Sequence, residues 1–308
     1  MPAFRSQRPG PDIVTRLRTA GCVFAEDEAR LLIDAARTPA ELDAMVERRA
    51  AGLPLEHVVG WAEFCGLRIA VDPRVFVPRR RTEFLVGHAI ALARQAAAAR
   101  QAAAAGQTAA AGDETVGGLA AAAGGESLSR HRAVVVDLCC GSGAAGAAVA
   151  AALGERIELH AADIDPAAVR CARRNLAAGV QVHEGDLYDP LPAALRGRVD
   201  VLIANVPYVP TGEVGLLPPE ARIYEARVAL DGGGDGLDVM RRVTAAAPLW
   251  LAPCGHLLVE TSEQQAPQAA EILARSGLIP RVASSGERNA TVVIGTRQAG
   301  CRRFRAGS

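Results

Sequence analysis

Residues 201–210 combine a short apolar run with polar and aromatic side chains that could bind a planar group. Residues 201–204 are predicted to form a buried parallel strand, and Pro207 must end it because proline cannot donate to a sheet ladder. Asn205 therefore lies at the carboxyl end of a strand, where open α/β sheets bind ligands. Its amide offers one acceptor oxygen and two donor hydrogens, and Tyr208 adds a flat ring. The set predicts a site for a planar NH2 group.

A glycine-rich turn, Cys139-Cys140-Gly141-Ser142-Gly143, follows the predicted strand 134–138. Glycine has no β-carbon, so the backbone of such a turn can approach a ligand closely. Asp163 lies 20 residues after Gly143, at the end of the second predicted strand (157–162). A carboxylate at this place can accept hydrogen bonds from both hydroxyls of a ribose. After the third predicted strand (180–183), Asp186 is placed to contact an adenine amino group, with Leu187 against the ring. Three successive strand ends thus predict a nucleoside site.

The residues around this turn indicate which adenosine-containing cofactor is bound. Gly141, Gly143 and Gly146 match the Gly-x-Gly-x-x-Gly spacing of dinucleotide enzymes. The dipeptide Asp137-Leu138, the position of Asp186 and the polar end of the fourth strand favour S-adenosyl-L-methionine instead. We therefore predict S-adenosyl-L-methionine as the cofactor. Its predicted binding residues are Cys139, Cys140, Gly141, Ser142, Gly143, Asp163, Asp186, Leu187 and Asn205.

The elements that must position these residues alternate between strands and helices from residue 133 to residue 300. That order predicts an α/β fold with a doubly wound, mostly parallel sheet. Upstream, residues 13–51 are predicted to be helical, and a capping box from Thr38 to Glu41 starts one of these helices. Apolar segments on both sides of Gly66 predict a hairpin.

Composition bounds the class of protein. Half of the 308 residues are hydrophobic and the formal net charge is zero, which gives no general argument for a nucleic-acid or membrane partner. No apolar run is long enough to span a bilayer and no signal peptide is apparent, so we expect a cytoplasmic protein. The seven cysteines include no Cys-x-x-Cys pair, which predicts reduced thiols and no metal site. Residues 113–130 have the composition of a flexible linker.

From about residue 52 to residue 297, the chain resembles the HemK/PrmC-type protein glutamine methyltransferases. Residues 205–208, Asn-Val-Pro-Tyr, stand where that family has Asn-Pro-Pro-Tyr. The other motifs are Gly52-Leu53-Pro54-Leu55 with Gly60, residues 76–83, residues 137–143, Asp163, Gly185-Asp186 and residues 231–237. The resemblance implies a seven-stranded, Rossmann-like class I methyltransferase sheet whose last strand runs antiparallel, preceded by a small helical domain.

On this basis we expect three parts along the chain. They are an N-terminal helical substrate-docking domain with a hairpin connector (1–74), a hinge, helix and Ala/Gly-rich linker (75–132), and a methyltransferase domain (133–300). The implied partner is a protein substrate, typically a peptide chain release factor with a Gly-Gly-Gln loop. We expect a monomer that contacts neither nucleic acid nor membrane directly.

The resemblance implies methylation of a glutamine side-chain amide, with Asn205 and Tyr208 as catalytic residues. In this interpretation, the Asn205 side-chain oxygen and the Val206 carbonyl each accept one hydrogen of the substrate NH2, and Tyr208 packs on the amide plane. The expected substrate-binding residues are Asn205, Val206, Pro207, Tyr208, Phe76 and Arg79. The run Arg79-Arg80-Arg81 is either a solvated charge cluster or a cleft edge facing the substrate.

Four residues depart from the family pattern. Val206 replaces a proline, Arg80-Arg81 replaces Pro-Glu, and Cys139 replaces a glycine, where we interpret it as a small buried residue. Two alternative functions therefore stay open. One is an N-methyltransferase acting on the amino group of a nucleic-acid base, which the three arginines would support. The other is a non-catalytic cofactor-binding homologue, which Val206 and Cys139 would support.

Overall fold

The computed structural model of the protein describes residues 11–111 and 132–299, so the predicted linker 113–130 lies outside the described residues. The helices are α1 (Pro11–Thr19), α2 (Ala25–Ala35), α3 (Pro39–Ala50), α4 (Leu55–Val59), α5 (Thr82–Ala111), α6 (Ala144–Leu153), α7 (Pro166–Asn175), α8 (Pro219–Tyr224), α9 (Asp238–Trp250) and α10 (Ala266–Arg275). The strands are β1 (Trp61–Phe64), β2 (Leu67–Ala70), β3 (Ala133–Leu138), β4 (Ile157–Asp163), β5 (Gln181–Glu184), β6 (Val199–Ala204), β7 (Leu251–Thr261), β8 (Leu278–Ser285) and β9 (Ala290–Arg297).

Seven strands form one sheet in the order β5-β4-β3-β6-β7-β9-β8. The pairs from β5 to β7 are parallel, whereas β9 runs antiparallel to both of its neighbours. The doubly wound, mostly parallel fold and its antiparallel last strand are thus confirmed. The strand order reverses between β3 and β6, because the chain builds one half of the sheet before it returns to build the other. Open α/β sheets bind ligands at such a switch point.

Both faces of the sheet are covered, which explains why the central strands are mostly apolar. In β3, Val134 and Val136 belong to one buried cluster and Val135 to the other. Helices α5 and α6 cover one face, and α9 and α10 cover the other. Leu85 of α5 is fully buried in the first cluster. The helix expected within the connecting segment 75–132 therefore packs on the sheet and contributes to its core.

Helices α1–α4 pack around a separate small core that contains Leu32. The predicted cap of α3 is present, since Thr38 Oγ1 accepts a hydrogen bond from the amide of Glu41 (3.1 Å). The Glu41 carboxylate accepts from the amide of Arg37 (2.9 Å) rather than from that of Thr38, so only half of the capping box forms. Strands β1 and β2 pair antiparallel as the predicted hairpin.

A buried arginine joins the N-terminal helices to the loop that carries α8. Arg49 Nε donates to Glu28 Oε2 (2.6 Å), and its Nη1 pairs with Glu220 of α8 (2.7 Å). The hydroxyl of Tyr224, also on α8, donates to the carbonyl oxygen of Ala51 (3.2 Å). These contacts fix the loop after β6 against the N-terminal helices.

None of the described helices is both long enough and apolar enough to cross a membrane. The six cysteines within residues 11–111 and 132–299 are free thiols. In the same part of the chain, no group of three or more His, Cys, Asp or Glu side chains is arranged to hold a metal ion.

Candidate active site

A cavity of about 630 Å³ lies at the carboxyl ends of β3 and β6, where the strand order reverses. Its volume is typical of a small-molecule site. The wall combines the glycine-rich turn, the end of β6, the residues before α5 and the loop that carries α8. The predicted site residues that line it are Phe76, Arg79, Cys139, Cys140, Gly141, Ser142, Asp163, Asn205, Val206, Pro207 and Tyr208.

The Asp163 carboxylate is held by the backbone around it. The amide of Gly141 donates to its Oδ2 (2.8 Å), and the amide of Asp165 donates to its Oδ1 (2.9 Å). Burial raises the pKa of Asp163, and these two amide donors oppose the rise. Each carboxylate oxygen has a second lone pair, so Asp163 can still accept two hydroxyl hydrogens from a ligand in the cavity.

A second carboxylate of the cavity wall, Asp137 in β3, is only 2% exposed. Its Oδ2 accepts a hydrogen bond from the amide of Gly146 in α6 (3.0 Å). Burial, with a smaller contribution from Asp163, raises the pKa of Asp137 to about 7 from an ordinary value of 3.8. A cationic group placed beside Asp137 would favour its ionised form.

The adjacent thiols of Cys139 and Cys140 are not poised for reaction. Burial is the main cause that raises the pKa of both thiols, and nearby carboxylates raise it further. A buried, protonated thiol is a poor nucleophile. Cys139 adopts a left-handed backbone conformation with φ of 54°. Cys139 is partly exposed and lines the cavity, so the interpretation of it as a small non-reactive residue holds but its complete burial does not.

Asn205 follows β6 directly, as the sequence predicts, and lies at the switch point of the sheet. Its Nδ2 donates to Oγ1 of Thr82, the first residue of α5 (3.4 Å). Among the described residues, the Asn205 Oδ1 has no hydrogen-bond partner. The acceptor of this amide is therefore free for a ligand in the cavity.

Tyr208 is held by Arg81, whose Nη2 donates to the phenol oxygen. Arg81 Nε also donates to Oε1 of Glu260, near the carboxyl end of β7 (3.2 Å). Burial raises the pKa of Tyr208 to about 12, with the negative charge of Glu260 as a further cause. The phenol is therefore protonated at neutral pH.

Phe76 and Arg79 form another part of the wall, with the guanidinium carbon 4.8 Å from the ring centroid. Arg79 Nη2 donates to Glu225 Oε1 (2.6 Å), and the amide of Val77 donates to the same oxygen (3.2 Å). Burial raises the pKa of Glu225, and the charge of Arg79 opposes the rise. Arg79 and Arg81, which line the cavity, thus each pair with a buried carboxylate, whereas Arg80 is exposed and does not line the cavity.

Gly143, Asp186 and Leu187, which were predicted to bind the cofactor, do not line this cavity. Gly143 has a φ of +78°, and an added β-carbon would lie 3.1 Å from that of Ala172, so glycine is required here for packing against α7. Asp186 pairs with Arg242 of α9 (2.6 Å), and Leu187 packs in a core cluster. The contact of Asp186 and Leu187 with an adenine ring stays a prediction.

The glycine-rich loop before α9 supports the backbone of the segment that contains Tyr208. An added β-carbon at Gly232 would lie 2.6 Å from the carbonyl oxygen of Pro207. At Gly236 it would overlap the carbonyl oxygen of Tyr208, which also accepts a hydrogen bond from Gln265 Nε2 (3.1 Å). Only glycine allows two backbone segments to approach this closely.

We expect Gly236→Ala to lower the free energy of unfolding by roughly 2 kcal/mol or more, because its φ of +79° disfavours a side chain and its β-carbon meets backbone. Gly234→Ala is the matched control in the same loop, since an added β-carbon there meets nothing within 4 Å. Denaturant unfolding of both variants measures the difference. Equal stability of the two variants would contradict the close approach of this loop to Tyr208.

Several polar residues of the site were not among the predicted site residues: Arg81, Thr82, Asp137, Glu225 and Glu260. Asp137 and Glu260 carried a usable signal, since each is a charged residue near the end of an apolar strand. Thr82 carried none, because 123 residues separate it from Asn205 and only the sheet brings the two together.

Comparisons with known proteins show the family to which the chain belongs. The Methyltransferase small domain family matches residues 125–259. A release factor glutamine methyltransferase of Geobacter sulfurreducens is 34% identical over 265 residues, which cover 84% of this chain and 79% of the relative. The one of Deinococcus radiodurans is 31% identical over 280 residues, with 89% and 86% covered. A methyltransferase structure from Pyrococcus furiosus has a TM-score of 0.41 at 16% identity, covering 54% of this chain and 77% of that one. The identity over most of both chains means that this protein belongs to the release factor glutamine methyltransferase family.

Proposed function

We propose that the protein transfers a methyl group from S-adenosyl-L-methionine to the side-chain amide nitrogen of a glutamine in a peptide chain release factor. The observation that carries the proposal is the position of Asn205, which lines the same cavity as the glycine-rich turn and Asp163 with its acceptor oxygen unpaired in the described part of the chain. The two relatives described above are named release factor glutamine methyltransferases, which supports a release factor as the substrate. When bound, S-adenosyl-L-methionine supplies an electrophilic methyl group on a positively charged sulfur.

The residues of the cavity fit this cofactor. Asp163 would accept the ribose hydroxyls, and the turn from Cys139 to Ser142 would bring backbone close to the ligand. Asp137 is a buried acid that pairs with no cation among the described residues, and the amino group of the cofactor would supply one. We therefore add Asp137 to the proposed cofactor-binding residues. Asp186 and Leu187 are kept as proposed adenine contacts.

The substrate nitrogen needs orientation, because amide delocalisation makes it a poor nucleophile. Asn205 Oδ1 and the Val206 carbonyl oxygen would each accept one of its hydrogens, which points the nitrogen toward the methyl group. Such positioning supplies roughly 7–11 kcal/mol in favourable systems. The two acceptors also stabilise the positive charge that develops on the nitrogen. The methylated nitrogen is acidic and loses its proton without a dedicated base.

Aromatic residues of the wall would complete the amide site. Tyr208 lines the cavity and is fixed through its phenol by Arg81, so its ring would pack on the amide plane and exclude water. Phe76 and Arg79 lie on the same wall and would contact the rest of the substrate segment. Pro207 stiffens the backbone that presents the Val206 carbonyl.

The ionisation of Asp137 predicts opposite effects on stability and binding. Its folded-state pKa of about 7 exceeds the ordinary 3.8, so its contribution to stability is present below pH 4 and is lost as the pH rises through 7. We expect Asp137→Asn to stabilise the cofactor-free protein at pH 8, by up to about 4 kcal/mol, and to leave it nearly unchanged at pH 4. The same variant should bind S-adenosyl-L-methionine more weakly, because the cofactor's cation loses its partner. Thermal melts at both pH values and calorimetry test this, and unchanged binding would remove Asp137 from the site.

The choice of a protein substrate follows from the surroundings of the cavity. Arg79 and Arg81 are paired with Glu225 and Glu260, which weakens the case for a nucleic-acid base as acceptor. We infer that the N-terminal helices dock the protein substrate, since Arg49 ties them to the loop that lines the cavity. We propose that the protein acts as a monomer.

Mass spectrometry tests the proposed function. Purified release factors are incubated with the protein and S-adenosyl-L-methionine, and we expect one added methyl on a glutamine of the Gly-Gly-Gln loop. Methyl transfer to RNA or DNA under the same conditions would contradict the proposal. Methylglutamine in another protein, with release factors unmodified, would uphold the chemistry and change the substrate. Absence of any transfer despite cofactor binding would favour a non-catalytic homologue.

A further inference from the structure

The amide of Asn205 can adopt two orientations that exchange its donor and acceptor atoms. Only the orientation with Oδ1 toward the cavity can accept a hydrogen from a substrate NH2 group. In the other orientation the NH2 group of Asn205 would face the NH2 group of the substrate, and neither nitrogen could accept a hydrogen bond. The groups behind Asn205 must therefore select one orientation.

A buried carboxylate lies behind this amide. Glu260 is 2% exposed, and its Oε1 accepts a hydrogen bond from Arg81. Its Oε2 is buried and accepts no hydrogen bond in the described part of the chain. Thr82 and Arg81 line the cavity, whereas Glu260 does not. Any influence of Glu260 on a ligand must therefore pass through its neighbours.

Thr82 connects this carboxylate to the catalytic amide. Its hydroxyl is near enough to Glu260 to lower the pKa of that carboxyl group, and its Oγ1 accepts a hydrogen bond from Asn205 Nδ2 (3.4 Å). An ionised carboxylate can only accept hydrogen bonds, so the rotatable Thr82 hydroxyl turns its proton toward Glu260. The Thr82 oxygen can then only accept a hydrogen bond from Asn205. The NH2 group of Asn205 must therefore point toward Thr82.

Arg81 pairs with this carboxylate and favours its ionised form. Burial raises the pKa of Glu260, while the nearby hydroxyls of Thr82 and Tyr208 and the charge of Arg81 oppose the rise. If Glu260 were protonated, it could donate to Thr82 and the direction of the chain of hydrogen bonds would no longer be fixed. Arg81 also binds the phenol of Tyr208, so one charge pair orients both residues expected to contact the substrate amide.

We propose that Thr82 and Glu260 are positioning residues that turn the acceptor oxygen of Asn205 toward the substrate, with Arg81 as the counter-charge of Glu260. This inference rests on the proposed function. The inference predicts that kcat depends more on the direction of the hydrogen bonds than on the volume of the Thr82 side chain.

Two substitutions of Thr82 separate these roles. Thr82→Val keeps the branched shape and removes the hydroxyl, whereas Thr82→Ser keeps the hydroxyl and removes a methyl group. We expect Thr82→Val to lower kcat by about fivefold to tenfold, the effect of one hydrogen bond of ordinary strength, with the KM and Kd for S-adenosyl-L-methionine unchanged. Thr82→Ser should stay within about threefold of the unsubstituted protein, although it loses more packing. Glu260→Gln should lower kcat like Thr82→Val.

The assays use whichever glutamine acceptor the unsubstituted protein methylates best, with melting temperatures recorded for every variant. Full activity of Thr82→Val, or lower activity for Thr82→Ser than for Thr82→Val, would overturn the inference and leave the proposed function standing. If the unsubstituted protein methylates no glutamine, the proposed function itself fails. A Glu260→Gln protein that melts far below the others is set aside, because the two Thr82 variants decide the question.

Discussion

Replacing Asn205 by alanine should stop methyl transfer to glutamine and leave the protein folded. The substitution removes the acceptor that would hold one hydrogen of the substrate amide, so the nitrogen is neither oriented nor stabilised as charge develops. Removal of one such preorganised group typically lowers kcat by about 10²–10³-fold. The stability cost should be about 1 kcal/mol or less, because Asn205 is half-buried and its bond to Thr82 is long at 3.4 Å.

Radiolabelled methyl transfer to a release factor measures this effect, and Val206→Pro is the neighbouring control. Proline restores the family pattern and keeps the carbonyl acceptor of position 206. Among the described residues the Val206 amide donates no hydrogen bond, so proline removes none. We expect Val206→Pro to stay within a few-fold of the unsubstituted protein. An Asn205→Ala variant with full activity would show that the amide of Asn205 does not hold the substrate.

Asp163→Ala should weaken the binding of S-adenosyl-L-methionine by at least tenfold, equivalent to about 1.4 kcal/mol for each tenfold. The expected loss has two causes. Two ribose hydroxyls would lose their acceptor, and the amides of Gly141 and Asp165 would lose the carboxylate that orders the glycine-rich turn. The second cause also predicts a lower melting temperature for the cofactor-free variant.

Calorimetry tests this prediction with Glu184→Ala as the matched control. Glu184 lies opposite Asp163 in the strand register of β4 and β5, but its side chain is exposed and does not line the cavity. Its removal should leave the Kd for S-adenosyl-L-methionine unchanged. Equal affinities of the two variants would exclude Asp163 as a ribose ligand, and binding of NAD in place of S-adenosyl-L-methionine would overturn the cofactor assignment.

Local patterns in the sequence were sufficient for the central sheet. Strands β3 and β6 are apolar on both faces because helices cover both sides, and such runs are recognisable without knowledge of the partners. Short breaks follow them directly: the turn at Cys139 to Gly143 after β3 and Asn205 after β6. The carboxyl ends of parallel strands meet at one edge, so these positions alone predicted that the turn and Asn205 share a site.

The sequence by itself thus determined the strands, the glycine-rich turn, Asp163 at a strand end and the polar end of β6, since each depends on residues close in the chain. Only the tertiary structure decided which charges face the site. Arg81 is 179 residues from Glu260, and Arg49 reaches Glu220 on a short helix that no periodic pattern predicted. It also decided that Arg242 pairs with Asp186, where the sequence predicted an adenine contact. These pairs depend on strand order and on helix packing across the sheet, which no local pattern encodes, because the burial of each charge is set by parts of the chain far from it.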